Sequence, residues 1–167
     1  MPWILEDTAG VVIFAEFFPL TESDLPHISA KLGWESSFDW SLYLQSNSIF
    51  TALKLVDSHG VIHGCLAYRK DQNNLFVELA LVEKSPLHRR GVSYINIGKV
   101  LFACAYKISF DAGFDGFVVL TPKTNLIDYY ERVYRAQFVG HIDHHPRYLL
   151  DPAIGNSLIM VYYRERM

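Results

Sequence analysis

Hydrophobic and polar positions in the first half of the chain alternate in short runs that are typical of β-strands. Residues 11–18 are mostly β-branched or aromatic and are followed by Pro19, which predicts a first strand. Three later runs, residues 49–56, 61–68 and 75–83, are separated by turn-rich segments. They predict an antiparallel meander.

Two short helices are predicted between the first strand and the meander. The first begins at the capping-box pattern of Thr21 and Asp24 and runs to Gly33, a residue type that commonly ends helices. Ser36 and Ser37 are candidate caps for a second helix that reaches residue 45.

The hydrophobic period becomes helical in residues 94–110, and Gly113 marks the end of this longest predicted helix. Residues 116–120 predict another strand, residues 126–134 another helix, and residues 136–142 and 158–163 two further strands. Strands 75–83 and 116–120 are separated by a helix, so they are predicted to run parallel and the sheet to be mixed. Ligands commonly bind α/β sheets where such a helix starts.

The composition is that of a globular domain. Half of the 167 residues are hydrophobic, 20% are charged, and the formal net charge is −3. This length fits one domain, spanning residues 1–167, that buries its own core. The chain has no lysine and arginine stripe, which argues against a nucleic-acid partner.

Cys65 and Cys104 are the two cysteines. They are too few for a disulfide framework or a zinc knuckle, so both are predicted to be buried thiols in a reducing compartment. The first residues form no basic leader, and no apolar stretch approaches the roughly 20 residues that span a bilayer. We therefore expect a cytoplasmic protein without a membrane partner.

The histidines predict no metal site. His141, His144 and His145 lie close together in sequence, but their spacing matches no metal-binding template and favours a solvated loop. His59 and His63 flank a predicted hairpin turn and are expected at the surface.

Residues 85–93 join the meander to the longest helix and contain Arg89 and Arg90 directly before Gly91. Unpaired amides and the macrodipole at a helix start attract anions, and a glycine lets the backbone approach a phosphate closely. This segment therefore predicts an anion site. A solvated turn with Gly91 as a hinge is the alternative interpretation.

Residues 88–93 have the sequence His-Arg-Arg-Gly-Val-Ser, which resembles the Gln/Arg-x-x-Gly-x-Gly/Ala loop of the GNAT superfamily of acetyl-CoA-dependent N-acetyltransferases. Gly91 matches the central glycine, whereas His88 and Ser93 depart from the pattern. The resemblance covers most of the chain from residue 11 onward. It implies an α/β (α+β) fold, a single GNAT-like domain whose mixed central sheet has about six to seven strands flanked by about four helices.

Asn125 and Tyr130 lie in a second segment that resembles the family, because a Glu-Arg pair follows the tyrosine as Glu-Lys follows the family's tyrosine. The resemblance implies that Tyr130 lies near the coenzyme thiol and serves as general acid. Tyr129 and Tyr134 are rival candidates. Asn125 stands closer to the tyrosine than in the family.

The resemblance implies further that acetyl-CoA is the acyl donor, that an amine is the acceptor, and that the protein is a possible homodimer. Trp34, Trp40 and Tyr43 stand where the family lines its acceptor cleft, although core packing explains them equally well. The residues that it assigns to the cofactor are Leu81, Val82, His88, Arg89, Arg90, Gly91, Val92, Ser93, Asn125 and Tyr130.

Glu78 is the predicted general base, acting directly or through a water molecule. In a regular strand it shares a face with Phe76, Ala80 and Val82. An unpaired buried charge is costly, so a carboxylate among such neighbours has an ionic partner, lies at the rim of the sheet or takes part in the chemistry. Glu83 is the alternative base and points to the opposite face unless a bulge intervenes.

Together these features predict an N-acetyltransferase that transfers an acyl group from acetyl-CoA to an amine by direct attack in a ternary complex. The departures at His88, Ser93 and Asn125 leave an alternative open, a catalytically weak acyl-CoA-binding or regulatory domain with the GNAT fold. A third hypothesis is an interaction domain without a cofactor.

Overall fold

Residues 1–88, 94–142 and 144–165 are described by the computed structural model of the chain, and eight strands in these residues form one mixed sheet. The spatial order of the strands is β1-β2-β3-β4-β5-β6-β8-β7. In chain order, the strands are β1 (Trp3–Glu6), β2 (Val12–Pro19), β3 (Thr51–Asp57), β4 (Ile62–Asp71), β5 (Phe76–Lys84), β6 (Val118–Leu120), β7 (Gln137–Ile142) and β8 (His145–Leu150).

Strand pairing confirms the predicted topology. Strands β3, β4 and β5 form the expected antiparallel meander. Strand β6 runs parallel to β5 after a helical crossover, as a helix between neighbouring strands requires. The predicted mixed sheet is therefore confirmed, with one or two more strands than the sequence indicated. One of the additional strands is β1, which precedes the first predicted run and pairs with β2.

Three α-helices lie in the described residues: α1 (Ile97–Asp111), α2 (Ile127–Tyr134) and α3 (Pro152–Tyr162). Helix α1 is the long helix that the sequence predicts, and α2 is the next predicted one. The remaining helical segments are 3₁₀ turns at Glu22–Ile28, Ala30–Leu32, Trp40–Leu44, Pro86–His88 and Thr124–Leu126.

The predicted strand at residues 158–163 is wrong, because residues 158–162 belong to α3 and Tyr163 forms only an isolated bridge with Trp3. Asp151 caps the helix by accepting a hydrogen bond from the Ala153 amide at 2.9 Å, and Pro152 occupies its first turn, a position that suits proline. A Cβ on Gly155 would come within 2.6 Å of the Tyr106 ring. Close packing of α3 on α1 thus requires glycine here, and it fixes a helix where the apolar and aromatic sequence favours a strand.

The two helices predicted after β2 are short 3₁₀ segments. The expected cap of the first is present, because the Thr21 amide donates to Asp24 at 2.8 Å. Pro26 lies inside this segment. Proline removes a backbone donor and clashes with the preceding turn, which explains why a regular α-helix does not form.

Hydrophobic side chains form two clusters in the described residues. The first joins the sheet to α1 and α3 and includes Leu66, Leu101 and Tyr106. The second lies under the 3₁₀ segments and includes Trp34 and Trp40. Both tryptophans are buried, so core packing explains them.

Cys65 and Cys104 are buried free thiols, as predicted. Burial raises the pKa of both thiols far above the ordinary cysteine value, so they are poor nucleophiles. Among the helices of the described residues, none combines the length and the apolar character needed to cross a membrane.

Candidate active site

A cleft opens between β5 and β6 because the two strands pair over three residues and then part. Leu79 and Leu120 form the last pair, and β5 continues to Lys84 without β6 beside it. The resulting cavity, here called the β5–β6 cleft, has a volume of about 570 Å³, which lies within the range of small-molecule sites. Its lining comprises Glu35, Phe38, Leu79, Ala80, Leu81, Val82, Glu83, Lys84, Phe102, Leu120, Thr121, Pro122, Lys123, Leu126 and Tyr130.

A β-bulge at Ala80 determines which faces the side chains of β5 occupy. Ala67 of β4 pairs with Leu81, and the next residue of β4 pairs with Leu79, so β5 contains one extra residue. Leu79 and Val82 therefore both pack against the α1 cluster, although a regular strand would place them on opposite faces.

The bulge corrects the predicted faces of the two glutamates. Glu78 does not share a face with Val82. It lies on the face of the 3₁₀ segments together with Glu83, because the extra residue reverses the alternation between them. The two candidate bases thus lie on the same side of the sheet, separated along β5.

Glu78 lies one residue before the point where the strands part, opposite Val119. It is buried and is held by two arginines. Arg69 of β4 donates to Oε2, and Nη2 of Arg147 lies 2.8 Å from Oε1. Glu78 does not line the cleft itself, but its ion pair with Arg147 connects it to the lining, because Arg147 also donates to Thr121 at 2.8 Å.

Glu83 lines the β5–β6 cleft further toward the end of β5. Its Oε2 accepts a hydrogen bond from the Glu35 amide at 2.6 Å, and its Oε1 accepts one from the Trp40 indole at 3.2 Å. These contacts tie β5 to the 3₁₀ segments that cover this face of the sheet.

Tyr130 of α2 lines the same cleft, where its ring packs against Phe102 of α1. Burial, together with the neighbouring Tyr129, raises the pKa of Tyr130 to about 12. The phenol therefore keeps its proton at neutral pH and is able to donate it. Of the two rivals, Tyr134 is buried in the core and Tyr129 is exposed outside the cleft lining.

The other predicted cofactor residues are distributed unevenly. Leu81 and Val82 line the cleft beside Tyr130. Asn125 is exposed in the 3₁₀ turn before α2 and is not part of the lining. The predicted anion site at Arg89, Arg90, Gly91, Val92 and Ser93 lies outside the described residues.

His88 is buried in a chain of hydrogen bonds rather than exposed to the cleft. Its Nε2 lies 2.9 Å from Nδ1 of His63, and Nε2 of His63 lies 2.8 Å from Oδ2 of Asp57. Tyr94 packs edge-on against both imidazole rings. The prediction that His63 lies at the surface is therefore wrong, because its ring points inward to this carboxylate; His59 is exposed as expected.

Charge and burial determine how this histidine chain is protonated. Burial, followed by the nearby His63 and Lys84, lowers the pKa of His88 to about 4. Burial alone would raise the pKa of Asp57, but hydrogen bonds from His63 and two backbone amides hold it below the ordinary value. At neutral pH, therefore, His88 is neutral and Asp57 is ionised.

Stability is expected to fall as the pH drops from about 6.5 to about 4. An unfolded histidine titrates near 6.5, so between these values the unfolded chain binds a proton that folded His88 excludes. The contribution of His88 to the free energy of unfolding is thus fully present above pH 6.5 and is lost toward pH 4.

Urea unfolding midpoints measured across this pH range should decline less steeply in His88→Gln than in the parent. His59→Gln, at an exposed histidine, should keep the parental slope; an unchanged slope in His88→Gln would contradict the prediction.

The exposed histidines near the end of the chain form a hairpin rather than the predicted loop. His141 lies in β7, His145 begins β8, and His144 forms the turn between them with a positive φ of 66°. No group of three potential metal ligands occurs within residues 1–88, 94–142 and 144–165.

No family model matches the chain, and no curated protein matches its sequence. Solved structures do match. A GNAT-family acetyltransferase from Staphylococcus aureus has a TM-score of 0.55 at 13% identity, covering 82% of this chain and 98% of that one. A chimera of the Vibrio cholerae spermidine N-acetyltransferase and hSSAT has a TM-score of 0.60 at 12% identity, covering 85% and 98%.

A third match is N-acetylglutamate synthase from Neisseria gonorrhoeae, complexed with coenzyme A and N-acetyl-glutamate. Its TM-score is 0.58 at 16% identity, and the match covers 82% of this chain and 35% of that one. The chain therefore has the fold of GNAT-family acetyltransferases, as its motifs predict.

Proposed function

We propose that this chain is a single-domain N-acyltransferase that binds acetyl-CoA in the β5–β6 cleft and transfers the acyl group to an amine. The observation that carries this proposal is the early parting of β5 and β6, which leaves a cleft lined by Tyr130. The fold supports the proposal as well, because it is shared with an acetyltransferase and with an N-acetylglutamate synthase that was solved in complex with coenzyme A.

The lining of the cleft suits the chemistry of acetyl-CoA. Leu79, Leu81 and Val82 provide apolar surface for the pantetheine arm, and Lys84 and Lys123 add positive charge for its anionic end. In this proposal the pyrophosphate binds residues 89–93, which precede α1 in the sequence and resemble the GNAT loop.

This orientation assigns different ends of the cleft to the two glutamates. Strands rise about 3.3 Å per residue, so Glu78 and Glu83 lie roughly 13–16 Å apart along β5. Glu83 is the nearer of the two to the loop that follows β5. The acyl group then lies toward the last β5–β6 pair, Leu79 and Leu120, which makes Glu78 the general base.

Acetyl-CoA supplies an activated thioester, whose C–S bond breaks when the amine nitrogen bonds to the carbonyl carbon. Glu78, positioned by its contacts with Arg69 and Arg147, accepts a proton from the acceptor ammonium through a water molecule. Tyr130 donates its proton to the departing thiolate and regains one from solvent. The attacking nitrogen releases its second proton to solvent as the amide forms, and Glu78 returns its proton to solvent. The products are an amide, a thiol and one net proton, so charge and protons balance.

A second candidate function rests on the ion pairs of Glu78. Arginines contact both of its carboxylate oxygens, and Glu78 lies outside the cleft lining, which favours an acyl-CoA-binding domain with little catalytic activity. The GNAT fold is common to both candidates.

Calorimetric titration and a thiol-release assay test the proposal together. We expect acetyl-CoA to bind with a stoichiometry near one per chain, and thiol release to depend on an added primary amine. Binding without amine-dependent release would instead support the second candidate. Absence of binding would contradict both.

A further inference from the structure

A hydroxyl group stands at the end of the β5–β6 cleft where the two strands part, at a position for which the sequence predicted no chemistry. Thr121 follows Leu120, the last residue of β6, and belongs to the cleft lining. It is an exposed residue, so its side chain is accessible to a molecule in the cleft. The position is next to the final β5–β6 pair, at the end of the cleft assigned above to the acyl group.

The hydrogen bond from Arg147 determines how this hydroxyl is used. Nη1 of Arg147 donates to Oγ1 of Thr121 at 2.8 Å. An arginine has no acceptor, so Oγ1 receives this bond and its own hydrogen remains available. Among the described residues, none accepts a hydrogen bond from the Thr121 hydroxyl.

The guanidinium group of Arg147 is itself fixed in place. Arg147 comes from β8, is 9% exposed, and is paired through Nη2 with Glu78 at 2.8 Å. A charge-assisted bond polarises the hydroxyl and makes it a stronger donor. A buried ion pair therefore supports an exposed donor at the end of the cleft.

We propose that the Thr121 hydroxyl donates a hydrogen bond to the carbonyl oxygen of the bound acyl group. In this role Thr121 stabilises the negative charge that develops on that oxygen when the amine attacks, and Arg147 is the positioning residue behind it. The inference rests on the proposed function and adds a catalytic residue to it.

Replacement of Thr121 by valine tests the role, because valine has nearly the same shape and lacks the hydroxyl. Turnover should fall about 10²-fold, the usual effect of removing one donor to a developing oxyanion, while the calorimetric Kd for coenzyme A stays within about twofold of the parent. Thr121→Ser restores the hydroxyl and should recover most of the turnover. Thr124→Val, three residues later and outside the lining, should behave as the parent does.

Infrared spectroscopy provides a readout that does not depend on activity. With acetyl-CoA labelled with ¹³C at the carbonyl, the carbonyl band of the bound ligand should lie at lower wavenumber in the parent and in Thr121→Ser than in Thr121→Val. If the parent binds acetyl-CoA and Thr121→Val keeps both the band position and the turnover, the inference is wrong while the proposed function stands. Absence of acetyl-CoA binding by the parent would overturn the function and this inference together.

Discussion

Replacing Glu78 by glutamine is expected to lower the turnover number of acyl transfer by about 10²- to 10⁴-fold at neutral pH, the usual contribution of a general base. Glutamine keeps the size of the side chain but does not accept the ammonium proton. The loss should shrink as the pH rises toward about 10, where a lysine-like amine loses its proton without help. Steady-state turnover numbers of the parent and the variant, measured between pH 7 and 10, should therefore approach each other as the pH rises.

The ion pairs of Glu78 make a stability control necessary. Breaking the buried pair leaves Arg147 without its carboxylate, whereas Arg69 keeps its ion pair with Asp71. The change costs about 3–5 kcal/mol of unfolding free energy. Urea unfolding and acetyl-CoA titration of Glu78→Gln identify conditions in which the variant is folded and binds the donor. A constant loss of turnover at every pH would indicate that Glu78 acts through structure alone.

Glu83→Gln is the matched comparison for Glu78→Gln. It removes a carboxylate from the same strand and face, and it disturbs the hydrogen bonds from Glu35 and Trp40. We expect it to lower stability and to reduce turnover less than Glu78→Gln does, without convergence at high pH. The reverse ranking would assign the base role to Glu83.

Tyr130→Phe is expected to lower turnover by about 10²-fold or more, with a small change in acetyl-CoA affinity. Phenylalanine keeps the ring that packs on Phe102 but lacks the proton that protonates the thiolate. Single-turnover rates and calorimetric affinities measure the two effects separately.

The raised pKa of Tyr130 also predicts how the turnover of the parent depends on pH under alkaline conditions. Because the phenol titrates near 12, it remains protonated up to about pH 11 and should contribute no alkaline decline below pH 10. Tyr129→Phe provides the control, since Tyr129 is the adjacent, exposed tyrosine outside the cleft lining. Equal turnover of Tyr130→Phe and the parent, with chemistry rate-limiting, would exclude the acid role.

Local patterns predicted the central part of the fold well. The meander from β3 to β5 and the crossover through α1 follow from alternating and helical hydrophobic periods, which are properties of neighbouring residues. The motif around Gly91 and the segment containing Tyr130 pointed to the GNAT fold, which the solved structures confirm.

Elements that depend on distant contacts were harder to predict. Residues 158–163 are apolar or aromatic like a strand, yet the fit of Gly155 against Tyr106 holds residues 158–162 in α3. His63 has the sequence context of a surface turn, yet Asp57 and His88 enclose it. Tyr106 in the first case and His88 in the second lie far along the chain, and their contacts outweigh the local preference.

The sequence by itself determined the order of the strands and helices in the middle of the chain, the resemblance to a fold family, and Tyr130 as a candidate acid. Only the tertiary structure decided the geometry of the site. A single extra residue at Ala80 brings Glu78 and Glu83 to one face, and β8, whose strand the sequence did not indicate, supplies Arg147 to Glu78 and Thr121. The physical reason is that periodicity reports which side of its own element a residue occupies, whereas bulges and contacts across a sheet arise when distant strands pair.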